Sequence, residues 1–141
     1  MNLAGINLLA VLVCGIVWMA LGMLWYSPLL FARPWTVAMG YNPDDREAMN
    51  KMRQGAGPMY GAAFVASLLS AALLAKLLTV LWISSPLYGM KIGAAVWLGF
   101  VATVQLTGTL FGKRNPRVFF IDTGYQLAGY LATGALLAVW H

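Results

Sequence analysis

The sequence predicts an all-α integral membrane protein, a four-helix bundle that crosses the membrane up, down, up and down. Three observations predict this class: the share of apolar residues, their grouping in four long segments, and the scarcity of charge within those segments. Of 141 residues, 61% are hydrophobic and 9% are charged, whereas a soluble domain has about 45–50% and about 25%. This composition excludes a soluble enzyme and a disordered tail. The single cysteine, Cys14, excludes a disulfide scaffold.

The four apolar segments are long enough to cross the hydrocarbon core of a bilayer as helices. Each holds 20 to 25 residues, and a crossing needs roughly 20. Of the 13 charged residues, only Lys76 and Asp122 fall inside the segments. The segments are continuously apolar, without the alternation that a β-barrel requires. The predicted spans are 3–26, 59–83, 92–111 and 118–140, within a single domain of residues 1–141.

The first span, 3–26, is interpreted as a retained helix because it lacks the basic start of a signal peptide and its apolar run is too long. A long loop, 27–58, follows it. A helix is predicted within this loop near 43–54, with Asn42 as its N-cap and acidic residues in its first turn. Another short helix is predicted over 34–40. We interpret the loop as a cytoplasmic cap; a gate or a partner-docking surface is the alternative.

The positions of Lys and Arg predict the orientation. Seven of the nine lie in the loop 27–58 and in the turn 112–117, which four spans place on the same side. Only Lys91 lies on the opposite side, and Lys76 is expected to reach the outer headgroups from within its span. The positive-inside rule therefore puts both basic loops in the cytoplasm and both termini on the non-cytoplasmic side. We expect these loops to contact membrane lipids, and no nucleic acid.

Asp122 is the only acidic residue inside a predicted span, and such a residue needs a partner. When the last two spans are folded about their short turn, Asp122 lies level with Thr107, and Gln126 lies level with Thr103. Each pair is spaced by four residues, so each lines one face of its helix. The predicted polar ladder comprises Asp122, Gln126, Thr107 and Thr103, with Tyr125 and Gln105 within reach.

Two interpretations of this ladder remain open. In the first, hydrogen bonds between the two spans only hold the helices together. In the second, Asp122 is the coupling or selectivity residue of a small transporter or channel-like protein. Four helices enclose little room for a pathway, so under the second interpretation the chain is predicted to form a homo-oligomer. The alternative function is a non-transporting structural, lipid-binding or partner-binding membrane protein, and the sequence names no substrate.

Small residues predict where helices approach closely. In the second span they recur at every fourth position, at Ala63, Ser67, Ala71 and Ala75, and a GxxxG pattern occurs at Gly89 and Gly93. These spacings let two helix backbones come close together. Packing within one bundle and association of two copies both explain them.

Other chemistry has no support in the sequence. His141 is the only histidine and the last residue, and no phosphate-binding GxxxxGK[ST] pattern occurs. Without a cluster of His, Cys or acidic residues, we predict no metal site, no catalytic residue and no cofactor. The sequence therefore predicts that the chain is not an enzyme.

Three segments resemble a known family. They are the run 24–31 (LWYSPLLF) followed by Trp35, the run 97–103 (WLGFVAT), and the run 119–125 (FFIDTGY). Their order, and four spans of matching length, are similar to the small membrane proteins called domain of unknown function 1761. The resemblance implies a multi-pass protein of the bacterial plasma (inner) membrane, and it supplies no activity. It places the motifs of the family at Trp25, Tyr26, Ser27, Pro28, Asp122 and Tyr125.

Overall fold

The computed structural model is all-α and describes residues 2–3 and 5–140. A two-stranded antiparallel hairpin of β1 (Asn2–Leu3) and β2 (Ile6–Asn7) precedes the helices. The fifth helix contains a π-helical segment, Trp97–Ala102. The six helices of the described chain are α1 (Leu8–Trp25), α2 (Ala32–Ala38), α3 (Arg46–Gln54), α4 (Gly57–Val80), α5 (Pro86–Phe111) and α6 (Pro116–Val139).

The helix of the first apolar segment, α1, begins at Leu8, whereas the predicted span begins at residue 3. Asn7 explains the difference, because its side-chain oxygen accepts hydrogen bonds from two amides of the first helical turn, at 3.1 and 3.3 Å. An Asn in this position caps a helix, so the helix begins directly after it. The preceding residues turn back in the hairpin, where Gly5 adopts a φ of 78°, a conformation that favours glycine.

The connection between α4 and α5 is shorter than the predicted one. α5 begins at Pro86, six residues before the predicted start at residue 92, because proline suits the first turn of a helix. Lys91, which the sequence places in a loop, therefore lies within α5. At the other end of α5, Asn115 caps α6 by accepting a hydrogen bond from a backbone amide at 3.0 Å.

The helix predicted near 43–54 is present as α3, but its cap differs. Asp45 is the N-cap, and its carboxylate accepts a hydrogen bond from a first-turn amide at 3.2 Å. Asn42, the predicted cap, instead accepts from the amide of Asp44 at 3.0 Å. Such a local hydrogen bond forms a turn that holds the chain out of the helix. The short helix predicted over 34–40 is present as α2, which begins two residues earlier.

The last helix, α6, lies at the centre of the fold and contacts α1, α2, α4 and α5. Its approach to α5 depends on glycine. A side chain at Gly89 would meet the backbone carbonyl of Gly134, and one at Gly93 would meet the carbonyl of Tyr130. The GxxxG pattern of α5 therefore serves close packing within the chain.

The predicted row of small residues in α4 lies mostly inside the bundle. Ser67, Ala71 and Ala75 are buried, whereas Ala63 is exposed. The buried part of the row belongs to a core that α1, α4 and α6 share, with Cys14 and Leu137 fully buried at its centre. The row thus brings α4 against its neighbours over the half of the helix nearer its C-terminal end.

Three helices, α1, α4 and α5, are long and apolar enough to cross a membrane. α6 is as long as α4 but is not among these three, because it carries several polar side chains. The distribution of polarity is the inverse of that in a soluble protein. Large apolar side chains such as Ile16, Leu69 and Phe100 are exposed by 54%, 62% and 75%. The most polar of the long helices lies innermost. This arrangement suggests a membrane protein, whose outer surface meets lipid and not water.

Candidate functional site

The candidate site is built around Asp122, in the second turn of α6. One carboxylate oxygen, Oδ1, accepts hydrogen bonds from Tyr26 Oη at 2.5 Å and from Trp35 Nε1 at 3.1 Å. Tyr26 directly follows α1, and Trp35 lies in α2. We call Asp122, Tyr26 and Trp35 the Asp122 clasp, because a single oxygen joins three segments of the chain.

The turn after α1 positions both donors of the clasp. The hydroxyl of Ser27 donates to the carbonyl of Leu24 at 2.6 Å, and the carbonyl of Ser27 accepts from the amides of Leu30 and Ala32. Pro28 follows Ser27, and its lack of an N–H suits a turn that ends a helix. The chain thereby reverses into α2, which brings Trp35 back onto α6.

A second tryptophan docks the end of α1 directly on the α6 backbone. Trp25 Nε1 donates to the carbonyl of Ile121 at 3.0 Å. Gly124 makes room for the ring, since a Cβ there would lie 3.2 Å from Trp25 Cζ2. From the opposite side of α6, Trp97 Nε1 donates to the carbonyl of Thr123 at 2.9 Å. Two indoles therefore clamp the helical turn that carries Asp122.

Tyr125 supports the clasp from within the bundle. Its hydroxyl donates to the backbone carbonyl of Trp18 at 3.0 Å, and its ring lies edge-on to Tyr26 with centroids 5.5 Å apart. Gly22 leaves space for that hydroxyl, because a Cβ there would lie 3.2 Å from Tyr125 Oη. Five rings follow one another at centroid distances of 5.3 to 5.8 Å, in the order Tyr130, Trp18, Tyr125, Tyr26 and Trp35.

The clasp leaves part of the carboxylate unused. Asp122 is half-buried, and within the described residues its second oxygen, Oδ2, accepts no hydrogen bond. No cation of the described chain lies within 4.0 Å of it, although Arg114 interacts with it electrostatically over a longer distance. Both donors of the clasp are neutral groups. They therefore stabilise the carboxylate without neutralising its charge.

The predicted polar ladder is wrong in its geometry. Thr103 and Thr107 are exposed, and their hydroxyls donate to carbonyls of their own helix at 2.8 and 2.9 Å. The side-chain bond that does cross between α5 and α6 joins Gln105 Nε2 to Gln126 Oε1, at 2.5 Å. Folding two spans about their turn predicts the level of a residue along the helix axis, but not the face of the helix on which it lies. The prediction therefore failed in the face of α5 on which Thr103 and Thr107 lie.

The described residues contain no group of three or more His, Cys, Asp or Glu side chains arranged to hold a metal ion. Cys14, the single cysteine, is buried in the core and forms no disulfide. His141 lies outside the described residues.

Comparison with known proteins decides the family. A family model described as a protein of unknown function, DUF1761, matches residues 9–138. The chain belongs to this family. No curated protein and no solved structure matches the chain.

In this DUF1761 member, the motif residues named from the sequence lie in the clasp or next to it. Tyr26 and Asp122 form the clasp, while Ser27 and Pro28 shape the turn that brings Trp35 to it. Sequence analysis missed Trp35 as a partner of Asp122. The sequence does carry a signal for this contact. Trp35 lies in a predicted interfacial helix, and a buried Trp needs an acceptor for its N–H.

Proposed function

We propose that the chain is a multi-pass protein of the bacterial inner membrane, with α1, α4, α5 and α6 as an up-down-up-down four-helix bundle. The apolar exposed faces of α1, α4 and α5 support this proposal, and the polar side chains of α6 are sheltered at the centre. Seven of nine basic residues lie in loops at one end. By the positive-inside rule that end is cytoplasmic, and both termini are on the opposite side.

Reporter fusions test the orientation. A periplasm-active reporter attached after residue 141 should be active, and the same reporter inserted after Gly40 should be silent. The reverse pattern contradicts the orientation, and activity at both sites contradicts the three crossings proposed between residue 40 and residue 141.

The function that the geometry supports best is a structural role at the cytoplasmic face that includes the binding of lipid or of a partner. It involves neither transport nor catalysis. The Asp122 clasp carries this proposal, because it fastens α2, the first part of the cytoplasmic loop, to the central helix. A hydrogen bond to a charged group contributes about 1.5–3 kcal/mol. The clasp thus keeps a short helix, too short to be stable by itself, in a defined place on the membrane surface.

Release of α2 tests the clasp. In a chain carrying Ala38→Cys as a labelling site on half-buried α2, Trp35→Phe removes one donor and should speed thiol labelling about tenfold, the factor that corresponds to 1.4 kcal/mol. Trp82→Phe is the matched control, since Trp82 is 91% exposed, and it should leave the rate unchanged. Equal rates for both variants contradict the proposal. Cys14 is buried and provides the unlabelled background.

A transporter or channel-like homo-oligomer is the second candidate, and one observation favours it. Asp122 is half-buried, forms no ion pair within the described chain, and keeps Oδ2 free of hydrogen bonds, so its charge is available to a proton or cation. Purified protein in liposomes should then show an ion-dependent flux that Asp122→Asn abolishes. The roles predicted for Thr103, Thr107, Gln126 and Tyr125 belong to this candidate. Absence of flux for the unmodified chain across inorganic cations and amines contradicts it.

A further inference from the structure

A cleft opens beside the clasp, between the end of α2 and the turn that joins α5 to α6. Its volume is about 340 Å³, and its walls are Ala38, Met39, Arg114, Asn115 and Val118. Two of these residues are polar, and three are apolar. Such a lining fits a molecule that has a charged part and an apolar part.

The polar wall of the cleft has the chemistry of a phosphate site. Arg114 offers a guanidinium, which binds phosphate oxygens through two parallel hydrogen bonds. Asn115 uses its side-chain oxygen to accept from the amide of Arg117 at 3.0 Å, so its amide NH₂ remains as a donor. The two polar groups therefore present donors to an anion.

Within the described residues, no acidic side chain lies within 4.0 Å of the basic side chains around the cleft. Arg33 forms an ion pair with Asp44, at 3.3 Å. Arg114 and its neighbours Lys113 and Arg117 are exposed and form no such pair. Asp122 acts on Arg114 only at longer range. An anionic partner is thus the complement of this surface.

The apolar wall indicates which anion. Met39 is 43% exposed at the end of α2, whereas Val118 lines the cleft on α6 but is only 5% exposed. The cleft lies at the same end as Trp25 and Trp35, whose residue type is enriched where a membrane meets water. A free phosphate or a nucleic acid would leave the apolar wall unused.

We propose that this cleft binds an anionic phospholipid, with its phosphodiester on Arg114 and Asn115 and the start of its acyl chains on Met39. The inference rests on the proposed membrane location and names the lipid class. The clasp then also maintains the lipid site, because the docked α2 supplies one of its walls.

Lipid retention tests the site. The full chain is reconstituted in nanodiscs of phosphatidylcholine and phosphatidylglycerol in equal amounts, transferred to detergent, and examined by native mass spectrometry. The unmodified chain should retain phosphatidylglycerol in preference, about one molecule per chain. Arg114→Gln should lower this retention about fivefold, since a basic side chain near an anionic surface contributes about 1 kcal/mol.

Met39→Glu is a second variant that does not touch Arg114 or Asp122, and its added charge should repel the phosphodiester by a similar factor. Arg53→Gln and Met52→Glu make the same chemical changes on exposed α3, and each should alter retention less than twofold. Equal losses in all four variants would show diffuse attraction, which overturns the site. Displacement of the lipid by inorganic phosphate or by an RNA oligonucleotide overturns the lipid assignment.

The outcome also separates this inference from the proposed function. A chain that stays in the membrane with α2 docked, but shows no preference for phosphatidylglycerol, contradicts only the lipid site. Free labelling at Ala38→Cys in the unmodified clasp contradicts the proposed function itself.

Discussion

The central helix α6 is held on two sides by different means. Against α5, backbone meets backbone at Gly89 with Gly134 and at Gly93 with Tyr130. Against α1 and α2, side chains reach across to Asp122 and to backbone carbonyls. At these glycines the first interface depends on the absence of side chains, although Trp97 and Gln105 also donate hydrogen bonds across it. The second interface depends on the hydrogen-bonding atoms of a few long side chains. The two should therefore respond to opposite kinds of substitution.

The largest effect is expected at the glycine interface. Gly93→Ala should lower the free energy of unfolding by about 3 kcal/mol, because the new methyl group forces two backbones apart. Gly99→Ala is the matched control on the same helix, where a side chain meets open space. It should be neutral or slightly stabilising, since alanine favours the helix. Denaturant titration in mixed micelles measures both, and equal effects would show that α5 is not packed as described.

A smaller effect is expected in and around the clasp, where three Tyr→Phe variants rank the hydrogen bonds of the tyrosine hydroxyls. Tyr26→Phe should cost about 2 kcal/mol because its partner is a carboxylate, and Tyr125→Phe about 1 kcal/mol because its partner is a neutral carbonyl. Tyr130→Phe should cost close to nothing, since within the described residues its hydroxyl forms no hydrogen bond. The same titration applies. A cost for Tyr130→Phe that equals that of Tyr26→Phe would contradict the assignment.

The smallest effect distinguishes the observed contact between α5 and α6 from the predicted ladder. Gln105→Leu should cost about 1 kcal/mol or less, because it removes the bond to Gln126. Thr107→Val should change the stability by no more than about 0.5 kcal/mol, as is usual for exposed positions. If Thr107→Val proves the costlier substitution, the predicted ladder describes the protein better than the structure does.

Helix caps depend on local physics, yet the sequence analysis missed the three that the structure shows. Asn7, Asp45 and Asn115 cap helices through amides two or three residues away, so a pattern search has the means to find such ends. It still chose Asn42 over Asp45, because both residue types cap helices and the competing turn at Asn42 depends on its local backbone. The predicted ladder failed because spacing along the chain does not fix how α5 is rotated about its own axis relative to α6.

The amino-acid sequence by itself determined the class of this protein: an all-α chain with helices apolar enough for a membrane, basic loops at one end, and membership of the DUF1761 family. Hydropathy and charge are summed along the chain, so they need no knowledge of contacts. Only the tertiary structure decided what Asp122 touches. Its partners lie 96 and 87 residues away in sequence, and packing of α1 and α2 on α6 brings them to one oxygen atom.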